Sequence, residues 1–157
     1  MVRLADLPEW EREHLLGKIP ALPKFATRPW VAGGPLSRRR VALITTAGLH
    51  RRSDRAFTVD TRNDYRVIPG DVEAADIAMS QFSVNFDRSG FQCDVNVVFP
   101  IDRLRELAQA SVIGSVADFH YSFMGAGSAV TRYEPKAREL AGLLKQDGVD
   151  AVLLTPV

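Results

Sequence analysis

Four short apolar runs limit what this chain can fold into. They are Val41-Ala-Leu-Ile-Thr45, Ile77-Ala-Met79, Val95-Asn-Val-Val-Phe99 and Ala151-Val-Leu-Leu-Thr155. Each is too short for a helix, and the first and last run continuously apolar rather than alternating. That pattern suits strands buried on both faces of a parallel sheet. Two helical patterns accompany them. One opens at Asp102, with Leu104, Leu107 and Ala108 facing inward. The other starts near Pro135, repeats apolar residues at Ala137, Leu140, Ala141 and Leu144, and stops at Gly148. Residues 111–123 predict one or two further strands. Strands alternating with helices predict an α/β fold, a Rossmann- or flavodoxin-like parallel sheet layered with helices.

The first forty residues follow another pattern. Asp6, Pro8 and Glu9 read as a helix start, with Leu7, Trp10, His14 and Leu15 on one face and an end near Gly17. Pro20, Pro23, Pro29 and Pro35 then impose an extended path, pinned by Phe25 and Trp30. The expected division is residues 1–40 as an N-terminal helix and arm, and 41–157 as the α/β domain.

Composition excludes several functions. The chain has 157 residues, of which 20 are Lys or Arg and 19 are Asp or Glu, for a formal charge of +1. That balance argues against a dedicated nucleic-acid binder. No apolar run approaches a membrane span. The single cysteine, Cys93, cannot form an internal disulfide, which favours a cytoplasmic setting. Three scattered histidines with one cysteine do not form a metal-site pattern.

In an open α/β sheet, ligands bind beyond the carboxyl ends of the strands. That rule points to Thr46 and His50 after the first run, and to Ser80 and Gln81 after the second. Asp94 and Asn96 are pocket or loop-fixing candidates; the commoner role for such residues is to hold backbone groups at a strand entry. His120, between Phe119 and Tyr121, is either a packed core histidine or the available proton carrier. Cys93 lacks a neighbouring base, and Asp94 beside it opposes thiolate formation. Arg38, Arg39, Arg40, Arg51, Arg52 and Arg55 would gather a carboxylate or phosphate, or form a solvated basic rim. Gly125-Ala-Gly127-Ser128 lacks the lysine of a phosphate loop. The Ala151–Thr155 run reads as a central parallel strand, which would normally feed a covering helix.

Several segments taken together resemble the glycine/sarcosine/betaine/D-proline reductase selenoprotein B family, nearest to its short D-proline-reductase-like members. They are Thr45-Thr-Ala-Gly-Leu, Phe86-Asp-Arg-Ser-Gly-Phe, Asp94-Val-Asn-Val-Val-Phe-Pro-Ile-Asp-Arg-Leu-Arg-Glu-Leu, Tyr121-Ser-Phe-Met-Gly and Gly148-Val-Asp-Ala-Val-Leu-Leu-Thr-Pro-Val. The resemblance implies a subunit of a reductase that cleaves a carbon–nitrogen bond in a small amino acid or amine. It implies a selenocysteine or cysteine directly after Val157, an incomplete domain here, and no catalytic residue within the 157. It implies a partner subunit whose pyruvoyl group holds the substrate amine, attack by the selenolate at the α-carbon, and release of the adduct by a thiol reductant. Homo-oligomers are a second expected assembly. The family commonly has Ser-His where this chain has Ser80-Gln81, and a glutamine cannot transfer a proton at neutral pH. The substrate-pocket candidates are Thr46, Gln81, Asp94, Asn96 and His120. Two other readings stay open: a non-catalytic binding or assembly module complete as written, and an enzyme using His120 or His50 with Asp94.

Overall fold

The structure is a computed structural model that describes residues 3–24, 31–83, 86–126 and 129–157. The chain divides into two compact units, Met1–Val31 and Ala32–Val157. In the first unit, helix α1 spans Glu9–Lys18. It begins after Pro8, with Glu9 and Glu11 favourably placed in the first turn. Asp6 does not cap it. Its carboxylate instead accepts a hydrogen bond from the Arg3 amide at 3.1 Å. Phe25 and Trp30, the expected pins of the arm, lie outside the described residues.

The second unit contains β1 (Arg40–Thr45), β2 (Leu49–Arg51), β3 (Tyr65–Pro69), β4 (Ile77–Met79), α2 (Ser89–Cys93) and α3 (Ile101–Gln109). These are followed by β5 (Ser115–Val116), β6 (Phe119–Phe123), α4 (Glu134–Gln146) and β7 (Ala151–Thr155). Strand β1 is central. It pairs in parallel with β7 along its length, from Val41 opposite Ala151 to Thr45 opposite Thr155. On its other side it pairs in parallel with β5 at Val41 and with β6 at Ile44 and Thr45. Strand β3 adds to β6 in antiparallel register. The result is a mixed, mostly parallel five-stranded sheet.

Alternation along the strands sends side chains to two cores. Val41 and Leu43 pack with Ile68, Phe99 and α3's Ile101 and Leu104. Tyr121 and Phe123 pack with Ile44, Tyr65 and α4's Leu140 and Leu144. Helices α3 and α4 therefore cover opposite faces, as the layered α/β pattern requires.

Three expectations are corrected. Ile77–Met79 is a strand, but it pairs antiparallel with β2 in a separate ribbon rather than joining the parallel sheet. Val95–Val97 is a 3-10 turn, not a strand, because the Asp94 side chain accepts from the Asn96 amide and caps the turn. Val95, Val98 and Phe99 still reach the core, which explains their apolar character. In α3 the buried residues are Ile101 and Leu104, while Leu107 is 38% exposed.

Strand β7 is the outermost partner of β1 among the described residues. Val152, Leu153 and Leu154 are 40%, 40% and 66% exposed, so both of its faces are open.

The candidate site at the carboxyl ends of the strands

Strands β1, β6 and β7 run parallel and end together, where backbone groups leave the ladder and need new partners. Thr46, just past β1, meets these needs from both sides. Its amide donates to the Thr155 carbonyl at 3.3 Å, and its Oγ1 accepts from the Val157 amide at 2.9 Å. Gln81 joins the remaining ends. Its Nε2 donates to the Thr46 carbonyl at 3.0 Å and to the Met124 carbonyl at 2.8 Å. Its Oε1 accepts from the Ser83 amide at 3.2 Å. Both amide hydrogens of Gln81 are thus used, and the buried side chain acts as a strut.

Two glycines permit this approach. Gly125 has φ +79°, and a Cβ there would stand 2.6 Å from the Thr46 carbonyl oxygen. Gly48 has φ +69° and sits against the Gln81 backbone. Both adopt the left-handed conformation that glycine tolerates.

Beside Thr46 an apolar groove of about 320 Å³ opens between the sheet end and α4. Ile44, Phe123, Tyr133, Leu140, Ala141 and Leu144 help to line it, and among the described residues no acidic side chain does. Arg88 donates from its guanidinium to the Gln81 backbone carbonyl at 2.5 Å.

The five sequence-predicted site residues divide into three groups. Thr46 and Gln81 meet at the strand ends. Asp94 and Asn96 sit at the start of α3, where Asn96 donates to Asp94 at 2.8 Å and to Asp102 at 2.9 Å, and its Oδ1 accepts from the Asp102 amide. Hydrogen bonds from Asn96 hold the carboxyls of Asp94 and Asp102 below the ordinary range. His120 is fully buried within the sheet. Its Nδ1 accepts from the Leu43 amide at 2.9 Å, between the segments where β1 pairs with β5 and with β6. Nδ1 is therefore unprotonated, and the buried Nε2 has no hydrogen-bond partner among the described residues. Burial pushes the His120 pKa down to about 4.

The other candidates are also placed. The His50 ring contacts the Arg51 carbonyl and Ser80 Oγ, at 2.8 and 2.7 Å. Arg39 pairs with Asp150, Arg40 with Asp147 and Asp118, and Arg51 with Asp54. The charge cluster around β1's start is thus largely neutralised by the chain's own carboxylates. Cys93 is exposed. Among the described residues no His, Cys, Asp and Glu grouping could hold a metal ion. No described helix is long and apolar enough to cross a membrane. Gly127 and Ser128 lie outside the described residues.

Sequence reasoning did not select Arg88, and it weighed Gly125 only as part of an incomplete phosphate loop. Arg88 lies in the quoted Phe86–Phe91 segment, but its contact with Gln81 depends on tertiary structure. Gly125 could have been found as the glycine ending a strand.

The chain is an α/β protein of the open-sheet class, whose members commonly place ligands beyond the carboxyl ends of their parallel strands. The glycine/sarcosine/betaine reductase selenoprotein B profile matches residues 18–157, and the chain belongs to that family. It is 40% identical over 116 residues to the D-proline reductase subunit gamma of Acetoanaerobium sticklandii, covering 73% of this chain and 47% of that protein. It is 31% identical over 123 residues to the glycine reductase complex component B subunit gamma of Symbiobacterium thermophilum, covering 76% and 29%. It is 30% identical over 123 residues to the betaine reductase complex component B subunit beta of Peptoclostridium acidaminophilum, covering 76% and 28%. The chain thus spans less than half the length of these relatives. They are subunits of amino-acid reductases, two of them named as components of complexes. No solved structure matches.

Proposed function

We propose that this chain forms the strand-end half of a reductase subunit that cleaves a carbon–nitrogen bond in a small amino acid or amine, of the D-proline, glycine or betaine type. The observation that carries the reading is the bond between Thr46 Oγ1 and the Val157 amide. It holds the end of β7 at the carboxyl edge of the sheet, beside the groove. The reading places a selenocysteine or cysteine immediately after Val157. Such a residue would supply a nucleophile ionised near neutral pH.

In this reading Thr46 orients the segment that carries the nucleophile, and Gln81 fixes the ends of β1 and β6. Asp94 and Asn96 set the entry to α3. His120 completes the sheet instead of moving protons, because its burial keeps it neutral. A pyruvoyl group on a partner subunit would hold the substrate amine, and a thiol would be the reductant. The uncovered strand β7 supports assembly with further protein, either a reductase partner or another copy. The setting is the cytoplasm.

The test is reductive cleavage by the protein carrying the residue after Val157, assembled with its pyruvoyl partner and supplied with dithiothreitol. D-Proline, glycine and betaine are the substrates. The expected result is thiol-dependent product from one of them, abolished when the residue after Val157 is replaced by alanine. Equal turnover by the alanine variant would overturn the proposal.

A further inference from the structure

The antiparallel ribbon of β2 and β4 sets His50 opposite Ala78. Ser80 lies two residues beyond Ala78, so the pleat returns its side chain to the His50 face. The Ser80 amide donates to the Gly48 carbonyl at 2.8 Å, carrying the pairing one step past β4. The two side chains meet, with His50 Nε2 2.7 Å from Ser80 Oγ. His50 Nδ1 lies 2.8 Å from the Arg51 carbonyl, which can only accept, so Nδ1 carries a proton and donates it. In the neutral ring Nε2 is then the acceptor, and the Ser80 hydroxyl donates to it.

Other features go beyond joining two strands. His50 is 6% exposed, so the imidazole is screened from water, while Ser80 is only half-buried. Ser80 Oγ makes no other hydrogen bond among the described residues, so its lone pairs are uncommitted. The next amide along the chain, that of Gln81, donates to no described residue. Gly48 packs so closely on the Ser80–Gln81 peptide that a Cβ would stand 3.0 Å from the Gln81 nitrogen. That contact fixes the peptide beside the hydroxyl.

We propose that Ser80 and His50 form a nucleophile–base dyad that hydrolyses small carboxylic esters, an activity separate from carbon–nitrogen cleavage and independent of the reductase reading. A hydroxyl within hydrogen-bond reach of an imidazole that a third group orients is the arrangement that activates a serine. Here the third group is the Arg51 carbonyl, which fixes the tautomer and the ring. Oγ bonds to the acyl carbon as its proton passes to Nε2. The Gln81 amide is the available donor to the oxyanion. The carbon–oxygen bond to the alcohol then breaks, and the alcohol leaves with the proton from Nε2. Water attacks the acyl-serine by the same route, releasing a carboxylic acid and restoring the dyad.

The test treats the 157-residue protein with a fluorophosphonate, which traps activated serines, and with p-nitrophenyl acetate. The expected result is one phosphonate on Ser80, located by fragmenting the tryptic peptide Val67–Arg88, and release of p-nitrophenol. Ser80→Ala should lose both. His50→Gln should slow both by about 100-fold or more, with the melting temperature recorded for each variant. No adduct, an adduct on another residue, or equally fast labelling of folded His50→Gln would each overturn the proposal. Should His50→Gln not fold, Ser80→Cys decides. Its introduced thiol should react with iodoacetamide at pH 7 about tenfold or more faster than the exposed Cys93 of the same molecule. A rate equal to that of Cys93 would mean that His50 does not act as a base and that the bond only ties β2 to the end of β4.

Discussion

The side-chain oxygen of Thr46 accepts the backbone amide of Val157 at 2.9 Å, joining the first and last strands of the sheet at their carboxyl ends. Thr46→Val keeps the shape and removes the acceptor. It is expected to lower stability by about 1 kcal/mol and to speed hydrogen exchange at Val157. Thr46→Ser, which retains the oxygen, should restore slow exchange. Unchanged exchange in Thr46→Val would show that the bond does not hold β7.

His120 gives a pH dependence of defined sign. Its pKa of about 4 in the fold lies below the ordinary 6.5, so between those values the unfolded chain binds more protons. The contribution is fully present above pH 6.5 and is lost as pH falls toward 4, amounting to about 3 kcal/mol in all. Urea melts at pH 7.5 and pH 5 should differ accordingly. His120→Gln should be less stable than the wild type at pH 7.5, with this part of the pH dependence removed.

Asp147 binds Arg40 through its side chain and also accepts from the amides of Asp118 and Phe119, at 3.0 and 3.3 Å. It therefore locks the start of β6 to the start of β1. Asp147→Asn leaves the partly buried Arg40 with weakened compensation, and a loss of about 2 kcal/mol is expected in denaturant melts. A loss within experimental error would mean that solvent replaces the pair.

Two glycine substitutions should act in opposite directions. Gly125→Ala forces a side chain into a left-handed position and against the Thr46 carbonyl, so destabilisation by about 2 kcal/mol or more is expected. Gly142 lies within α4, and a Cβ there meets nothing within 4 Å. Gly142→Ala should stabilise by about 0.5–1 kcal/mol. Thermal melts of the two variants would expose an error in either local conformation.

The elements that could be read from sequence were those whose signals agree locally. Strands β1 and β7 are continuous apolar runs, and α4 combines helical spacing with a glycine stop. Val95–Phe99 misled because a buried turn needs the same apolar residues as a buried strand. The Asp94–Asn96 bond decides between them. Strand β4 had the right conformation, but its partner β2 lies too far away in sequence for a local pattern to reveal the pairing. Thr46 and Gln81 were accessible from the strand-end rule. The bond from Arg88 to the Gln81 carbonyl was not, since it depends on tertiary structure. His120 was readable as packed, but its bond to Leu43 depends on how the two short strands β5 and β6 divide β1 between them.

The central claim is that the end of β7 presents the catalytic chalcogen. The direct measurement is to isolate the protein from its native cells, alkylate it under reducing conditions, and sequence by mass spectrometry the tryptic peptide beginning at Gln146. The account predicts that the peptide continues past Val157 into an alkylated selenocysteine or cysteine. A peptide ending at Val157, or continuing into a residue without selenium or sulfur, would contradict it.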